Sequence, residues 1–258
     1  MKILVLVKEV PVVSAIRIDR ETMTIDRSTA GKMINPADSH AIEAAVTVAA
    51  EKGGEVTAIS MGPDSCEDIL RGAIALGVKD AIRLTDNAFA GADTLVTAKV
   101  LKAAFDKTGP YDAVYCGANT IDGVTGQVGA KLAALLGCGI LSNACEITCT
   151  DDGLSIRRKA GDGYESLSAS FPLVCTVTED ANSLRTPGIK GKSASKKAVI
   201  PVMGNAELGL DEAALTSLSK VASLVPPAEL EKGQILEGSD DTDKADKLVQ
   251  TILDNHLI

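Results

Sequence analysis

The amino-terminal half of the chain alternates short apolar segments with alanine-rich segments of helical character. The apolar segments predict strands at residues 3–10, 55–62, 81–85 and 111–117. The segments that follow them predict helices at residues 36–50, 65–76, 93–107 and 127–136. This alternation predicts an α/β fold, a three-layer sandwich with a mostly parallel, doubly wound sheet and right-handed crossovers. Ligands of such sheets bind beyond the carboxyl ends of the strands.

The composition supports buried parallel strands. Hydrophobic residues make up 45% of the 258 residues, but aromatic residues only 2%, and tryptophan is absent. The core must therefore be built from Ala, Val, Ile and Leu, which suits strands covered on both faces. The amino-terminal apolar run spans only residues 3–7 and no small-residue cleavage site follows it, so it predicts a first strand rather than a signal peptide.

Charge and cysteine content exclude several function classes. The net charge of −9 argues against a nucleic-acid partner, which requires a basic face. No apolar run approaches the ~20 residues of a membrane span. The six cysteines form no C-x-x-C pair, and the closest two, Cys145 and Cys149, fall on one predicted strand. We therefore expect a cytoplasmic protein with reduced, buried cysteines and no metal site.

The pattern changes after Gly139. Residues 142–150, 153–158 and 164–170 predict β segments joined by turns, and 173–180 returns to an apolar strand. Residues 183–197 are basic and lack apolar periodicity, which predicts an exposed loop. The terminal helix predicted at 243–257 is too short to be stable alone and should pack on a partner. The predicted domains are therefore 1–203 and a carboxyl-terminal arm, 204–258.

The stretch CGANTIDGVTGQVGAKLA (116–133) joins a predicted strand to a predicted helix. It matches neither the dinucleotide G-x-G-x-x-G pattern nor the P-loop. Glycines recur at every third position, at Gly123, Gly126 and Gly129. Glycine backbone N–H groups and a helix N-terminus can nevertheless bind phosphate. Thr125 suits an N-cap or a phosphate contact, and Asp122 suits a ribose hydroxyl or the turn itself. Taken alone, the stretch is also compatible with an ordinary glycine-rich turn.

Other strand ends point to the same crevice. Gly62 follows the second strand and permits close approach of a ligand to the backbone. Asp93 precedes the third predicted helix, where an N-cap is its more ordinary role. Thr94 and Thr97 lie on one face of the first turn of that helix. Hydroxyl groups placed there suit a second phosphate.

Six segments, taken in order, resemble the beta subunit of electron-transfer flavoproteins. They are MKILVLVKEVP, KMINPADSHAIEAA, VTAISMGP, GADTLVTA, CGANTIDGVTGQVGAKLA and RTPGIKGKSASKK. The match as a whole runs from residue 1 to about residue 203. The resemblance implies a nucleotide-binding sandwich like that of the adenine nucleotide alpha-hydrolases. It also implies an alpha-subunit partner that holds FAD in a mobile domain, with AMP or a second FAD in this subunit.

Carried over by position, the resemblance implies nucleotide contacts along several strand ends. The expected residues are Leu6, Val7, Lys8, Asn35, Asp38, Met61, Gly117, Asn119, Thr120, Asp122, Gly123, Val124, Thr125, Gly126, Gln127 and Val128, joined on the strand-end argument by Gly62, Asp93, Thr94 and Thr97. No catalytic side chain or metal ligand is predicted. Residues 184–197 correspond to the family's partner-docking loop, with contacts expected at Leu184, Arg185, Ile189 and Lys190. Its sequence GKSASKK is less densely basic than is common in the family, which leaves the partner's identity open.

The family contains simple carriers with AMP in this subunit and bifurcating members with FAD there. GADTLVT, DGVTGQVG and the terminal helix resemble the second kind, so the resemblance favours FAD and NADH as electron donor. Bifurcation would deliver electrons to ferredoxin or flavodoxin and to an acyl-CoA dehydrogenase-type or lactate dehydrogenase-type flavoenzyme. The alternatives are a carrier with structural AMP, and a nucleotide-sensing module of the universal-stress kind. The basic segment and the carboxyl-terminal extension argue against the sensing module.

Overall fold

The computed structural model describes residues 1–12, 17–19, 24–26, 31–219, 222 and 233–256. The chain divides into two compact units, Met1–Ala222 and Ser223–Ile258.

The strands of the described residues fall into one large sheet and three small ones. In chain order they are β1 (Lys2–Leu6), β2 (Glu9–Pro11), β3 (Arg17–Asp19), β4 (Thr24–Asp26), β5 (Lys32–Ile34), β6 (Glu55–Met61), β7 (Asp80–Leu84), β8 (Ala113–Gly117), β9 (Gly139–Ala144), β10 (Glu146–Cys149), β11 (Gly153–Ala160), β12 (Gly163–Ser170), β13 (Leu173–Val177) and β14 (Val202–Met203). The α-helices are α1 (Pro36–Lys52), α2 (Cys66–Ala75), α3 (Thr94–Thr108), α4 (Val128–Leu136), α5 (Ile189–Lys197), α6 (Asn205–Leu208), α7 (Glu212–Leu215) and α8 (Asp241–Asp254).

The large sheet has the order β14–β7–β6–β1–β8–β13–β9, and all its pairings are parallel. Side chains of β1 alternate between two cores, as a strand period of two requires. Ile3 and Val5 pack with residues of α1 and α2, whereas Leu4 and Leu6 pack with residues of α3 and α4. The predicted three-layer, doubly wound fold is thus confirmed.

Two predicted strands are each divided in the structure. The strand predicted at 3–10 leaves the large sheet after Leu6, and β2 pairs antiparallel with β5 instead. The segment predicted at 142–150 divides into β9 and β10, because Asn143 adopts a left-handed φ of 58° and the N–H of Cys145 then bonds to Arg157 of another sheet. That second sheet is the antiparallel set β10–β11–β12. The prediction that Cys145 and Cys149 share one strand is wrong.

The prediction of a loop throughout 183–197 is also wrong in part, because Ile189–Lys197 forms α5. Polar contacts rather than an apolar face hold this helix, so hydrophobic periodicity could not reveal it. The Arg71 guanidinium donates to the carbonyl oxygens of Ser195 and Ala198, at 2.6 and 3.2 Å. Gly191 lies so close to the Ala75 carbonyl of α2 that a Cβ would collide with it.

Residues that follow the predicted domain boundary at 203 contact the first compact unit, and the predicted division into a domain and an arm remains a prediction. The N–H of Asn205 bonds to Asp86, and the N–H of Leu218 bonds to Asp93, so this stretch belongs to the first unit. In the second unit, α8 begins at Asp241 rather than 243, with Asp240 as its N-cap, and the last predicted residue lies outside the described range. Of the helices described, none has the length and apolar character needed to cross a membrane.

Candidate functional site

A cavity of about 560 Å³ opens at the carboxyl edge of the large sheet. It lies where the strand order reverses, because β6 and β7 follow on one side of β1 and β8 on the other. Its walls come from residues that follow β1, β6, β7 and β8. This is the position at which doubly wound sheets bind ligands, and the volume is typical of ligand pockets, roughly 300–1,000 Å³.

Most of the residues predicted from the sequence line this cavity. They are Leu6, Val7, Lys8, Asp38, Met61, Gly62, Thr94, Thr97, Gly117, Asn119, Thr120, Gly123, Thr125, Gly126, Gln127 and Val128. The structure therefore brings together residues that are widely separated in the sequence. Their role as nucleotide contacts remains a prediction.

The other predicted residues lie outside the cavity lining. Asn35 is fully buried, and Val124 is exposed with a left-handed φ of 52°. Such a φ is a strained conformation for a β-branched residue, and strain of this kind concentrates in functional loops. Asp93 caps α3, where its carboxylate accepts from the N–H groups of Leu95 and Val96.

Asp122 pairs with Lys8, which follows β1. Its two carboxylate oxygens accept from the Lys8 ammonium at 2.8 and 2.7 Å. The segment between β8 and α4, residues 117–128, is the glycine loop. Asp122 also accepts from the N–H of Gly123 at 2.7 Å, which stabilises the turn, and its pairing with Lys8 connects the glycine loop to the end of β1. These contacts show Asp122 in the turn, and its contact with a ribose hydroxyl remains a prediction.

The glycines of the loop occupy positions where a side chain does not fit. At Gly129, a Cβ would lie 2.7 Å from the Thr176 methyl group and 3.0 Å from the Cys116 sulfur. At Gly117, a Cβ would collide with the Asp38 carboxylate. Gly126 has a left-handed φ of +60°. These positions require glycine for both close approach and backbone conformation.

The N-terminus of α4 borders the cavity and has no side-chain cap. The N-cap is Gln127, without a side-chain hydrogen bond, so the prediction of Thr125 as the cap is wrong. Among the hydrogen bonds of the described residues, none is donated by the N–H groups of Thr125, Gly126 and Gln127. Unpaired N–H groups at a helix N-terminus form an anion-binding site. The arrangement therefore fits a phosphate.

The Asn35 side chain makes two hydrogen bonds to the backbone of the glycine loop. Asn35 occupies the N-cap position of α1, as predicted, but its side chain makes no capping bond. Instead its amide nitrogen donates to the carbonyl of Asn119 at 2.8 Å, and its amide oxygen accepts from the N–H of Ile121 at 3.1 Å. A fully buried amide thus holds two backbone groups of the loop.

Asp38 joins two of the strand ends that form the cavity. Its carboxylate accepts from the N–H of Lys8 at 2.8 Å and from the N–H of Gly117 at 2.9 Å. Burial raises the pKa of the Asp38 carboxyl from its usual 3.8 to about 7, although these hydrogen bonds oppose the increase.

This pKa predicts a pH-dependent stability. Because the folded state holds the Asp38 proton up to pH about 7 and the unfolded chain loses it near 3.8, the free energy of unfolding falls as pH rises between these values. The full change is about 4 kcal/mol, at about 1.4 kcal/mol for each pH unit. Chemical denaturation of wild type and Asp38→Asn at pH 4, 5.5 and 7 measures it. The wild type should lose stability relative to the variant, and parallel pH profiles would contradict the assignment.

Sequence reasoning missed the residues that follow β7. Thr85, Asp86, Asn87, Phe89 and Gly91 also line the cavity. The sequence carries a signal for them, since the strand predicted at 81–85 ends at the same sheet edge. The predicted site residues in this region come only from the start of α3 at Asp93, and none is taken from the turn between β7 and α3.

No metal centre is found in the part of the chain that the structure describes. No group of three or more His, Cys, Asp or Glu residues is arranged to hold an ion there. All six cysteines are free thiols, and burial raises the pKa of Cys116 and Cys175. These two thiols are therefore uncharged packing groups.

Comparison with known proteins assigns the family. A family model described as the electron transfer flavoprotein domain matches residues 22–208. The chain belongs to the electron transfer flavoprotein family. It is 37% identical over 262 residues to the electron transfer flavoprotein subunit beta of Thermoanaerobacterium thermosaccharolyticum, and 33% identical over 270 residues to that of Megasphaera elsdenii, with 100% of each chain covered in both comparisons. It is also 32% identical over 263 residues to the caffeyl-CoA reductase–Etf complex subunit CarD of Acetobacterium woodii, again over 100% of each chain.

Membership of this family gives the chain an electron-transfer role. The resemblance that the sequence segments suggested is confirmed, both for the family and for the beta subunit.

Proposed function

We propose that this chain is the beta subunit of a heterodimeric electron-transfer flavoprotein and binds FAD in the cavity beyond β1 and β8. The observation that carries this proposal is the uncapped N-terminus of α4, which borders the cavity together with a second set of hydroxyl groups at α3. The N–H groups at α4 suit one phosphate, and Thr94 and Thr97 suit another. A dinucleotide such as FAD has two phosphates, whereas AMP has one.

The rest of the lining suits an aromatic ring system. Leu6, Ile59, Met61, Phe89 and Leu101 provide apolar surface in the same cavity. Bound flavin would supply the redox chemistry, namely acceptance and release of electrons. The residues of this chain would bind the phosphates, orient the ring and exclude water. Asp38 and Asn35 would hold the loops in place without touching the reaction.

We infer that NADH is the electron donor and that electrons leave by bifurcation. One acceptor would be ferredoxin or flavodoxin, and the other an acyl-CoA dehydrogenase-type or lactate dehydrogenase-type flavoenzyme reached through the alpha subunit. A relative is named as part of a caffeyl-CoA reductase–Etf complex, which supports a partner acting on CoA esters. These assignments rest on family likeness.

Rapid anaerobic mixing with NADH tests the donor. The chain is co-expressed with its alpha subunit, and flavin absorbance is followed after mixing with NADH. Our proposal predicts fast loss of the oxidised-flavin band in wild type and a slow or absent loss in a variant whose cavity no longer binds nucleotide. A yellow complex that NADH does not reduce would instead indicate the alternative, a simple carrier with structural AMP in this subunit.

We propose that residues 184–197 dock the partner flavoenzyme. Leu184 and Ile189 are 50% and 89% exposed, and lysines surround Ile189 on α5. Exposed apolar side chains among basic residues favour steered, transient association. Arg185, predicted as a contact, pairs with Glu43 at 2.7 Å and therefore fastens the segment to α1. Lys190, next to Ile189, is exposed and would face the partner.

Truncation of Ile189 tests the docking surface. Ile189→Ala should slow electron transfer to the partner flavoenzyme about tenfold, as expected for loss of an interface contact worth more than about 1 kcal/mol, without altering bound nucleotide. The matched control is Leu218→Ala, since Leu218 is 85% exposed outside the segment. Equal rates in Ile189→Ala and wild type would exclude Ile189 from the interface.

A further inference from the structure

The two helix ends at the cavity differ in how their N–H groups are satisfied. At α4 the N-cap side chain makes no bond, whereas at α3 the Asp93 carboxylate accepts from two N–H groups. The other oxygen of Asp93 accepts from the N–H of Leu218 at 3.0 Å. These backbone donors hold the pKa of Asp93 below its usual range, so the carboxylate stays charged. The positive end of the α3 dipole is thus already neutralised.

A phosphate near Thr94 and Thr97 consequently needs another cation. Lys8 lines the cavity, but its ammonium is already paired with Asp122. Lys131 lies one turn into α4, and its ammonium donates to the Thr94 hydroxyl at 2.5 Å. That hydroxyl in turn donates to the side-chain oxygen of Gln127 at 3.0 Å. Thr94 and Gln127 both line the cavity, and Lys131, which is not itself part of the lining, is connected to it through the Thr94 hydroxyl.

Lys131 is partly buried, and within the described residues its hydrogen-bond partner is a neutral hydroxyl. No carboxylate among the residues described pairs with this ammonium, so it can bind an anion without breaking an ion pair. These two hydrogen bonds, from Lys131 to Thr94 and from Thr94 to Gln127, also connect the first turn of α3 to the start of α4. One positive charge therefore lies beside the Thr94 hydroxyl, at the first residue of α3.

We propose that Lys131 is a binding residue that selects a nucleotide with a diphosphate over a nucleoside monophosphate. The first phosphate is bound by the N–H groups at the α4 end, and the second by the Lys131 ammonium with the Thr94 hydroxyl. This inference deepens the proposed function and rests on it, because FAD carries such a diphosphate. The Lys131 side chain would then determine whether the site prefers a dinucleotide or AMP.

Binding of AMP, ADP and FAD to the full chain tests the proposal. Dissociation constants are measured by calorimetry for wild type, Lys131→Met, Lys131→Arg and Lys107→Met. Lys131→Met should weaken ADP and FAD about tenfold, the effect of one charge-assisted hydrogen bond, and weaken AMP less than about twofold. Lys131→Arg should retain most of the affinity. Lys107→Met removes the same charge from an exposed position on α3 and should change nothing.

The outcomes separate this inference from the proposed function. Equal weakening of AMP and ADP in Lys131→Met, or unchanged ADP affinity, would overturn the role of Lys131 while tight FAD binding by wild type still supported the FAD site. Selective loss of ADP affinity with no FAD binding in wild type would support Lys131 and overturn the FAD assignment. A wild-type chain that binds none of the three nucleotides would overturn both.

Discussion

Replacing Gly126 with valine is expected to empty the cavity of nucleotide while the fold persists. Gly126 has a φ of +60°, and a Cβ there would lie 3.1 Å from the carbonyl oxygen of Ala118. A β-branched residue cannot adopt this conformation without strain, so the loop must move and its free N–H groups change position relative to the cavity. We expect nucleotide affinity to fall at least about 100-fold, the loss of two charge-assisted hydrogen bonds. Nucleotide content after purification measures this.

The matched control is Gly161→Val. Gly161 has a φ of +55°, a Cβ added there would meet no atom within 4 Å, and the residue lies in the turn between β11 and β12. Both variants therefore incur a similar backbone penalty of about 1–2 kcal/mol, but only Gly126→Val alters the cavity. Full nucleotide content in Gly126→Val, or equal loss in both variants, would show that the loop is not the phosphate site.

Replacing Asn35 with alanine is expected to destabilise the protein and to weaken nucleotide binding together. The substitution leaves the carbonyl of Asn119 and the N–H of Ile121 without their buried partner. Each orphaned group costs about 1–3 kcal/mol, so the free energy of unfolding should fall by about 2–6 kcal/mol. Because the same groups position the glycine loop, nucleotide affinity should fall as well. Denaturant unfolding and nucleotide titration measure the two effects.

Asn182→Ala provides the control for Asn35→Ala. The Asn182 amide likewise makes two hydrogen bonds, to the carbonyl oxygen and the ring nitrogen of His40, at 3.0 and 2.9 Å. Neither Asn182 nor His40 lines the cavity. Asn182→Ala should therefore lower stability without changing nucleotide affinity. If Asn35→Ala behaved in the same way, the amide would be a structural group with no influence on the site.

The parts of this molecule that could be predicted are those that local pattern determines. Apolar segments and alanine-rich helices determined the order of β1, α1, β6, α2, β7, α3 and β8, and topology then placed their carboxyl ends at one edge. The glycine spacing located the loop, and Asp93 and Thr94 followed from the start of α3. These features depend on residues that lie close together in the sequence, so local patterns are enough to predict them.

The parts that could not be predicted depend on contacts between distant residues. The Asn35 side chain bonds to residues 84 and 86 positions away, which no local rule distinguishes from an N-cap. The helix α5 forms because Arg71, more than 120 positions earlier, binds its last carbonyls. The break after Ala144 follows from the left-handed Asn143 and from pairing with β11. The proposed binding role of Lys131 follows only from its hydrogen bond to the Thr94 hydroxyl, 37 positions earlier in the sequence.

The central claim is that the cavity beyond β1 and β8 holds FAD, and counting nucleotides tests it most directly. The chain is purified with its alpha subunit, denatured, and the released nucleotides are separated and quantified for wild type and Gly126→Val. Our account predicts two FAD per heterodimer in wild type and one in the variant. One FAD plus one AMP in wild type, or two FAD retained in Gly126→Val, would contradict it.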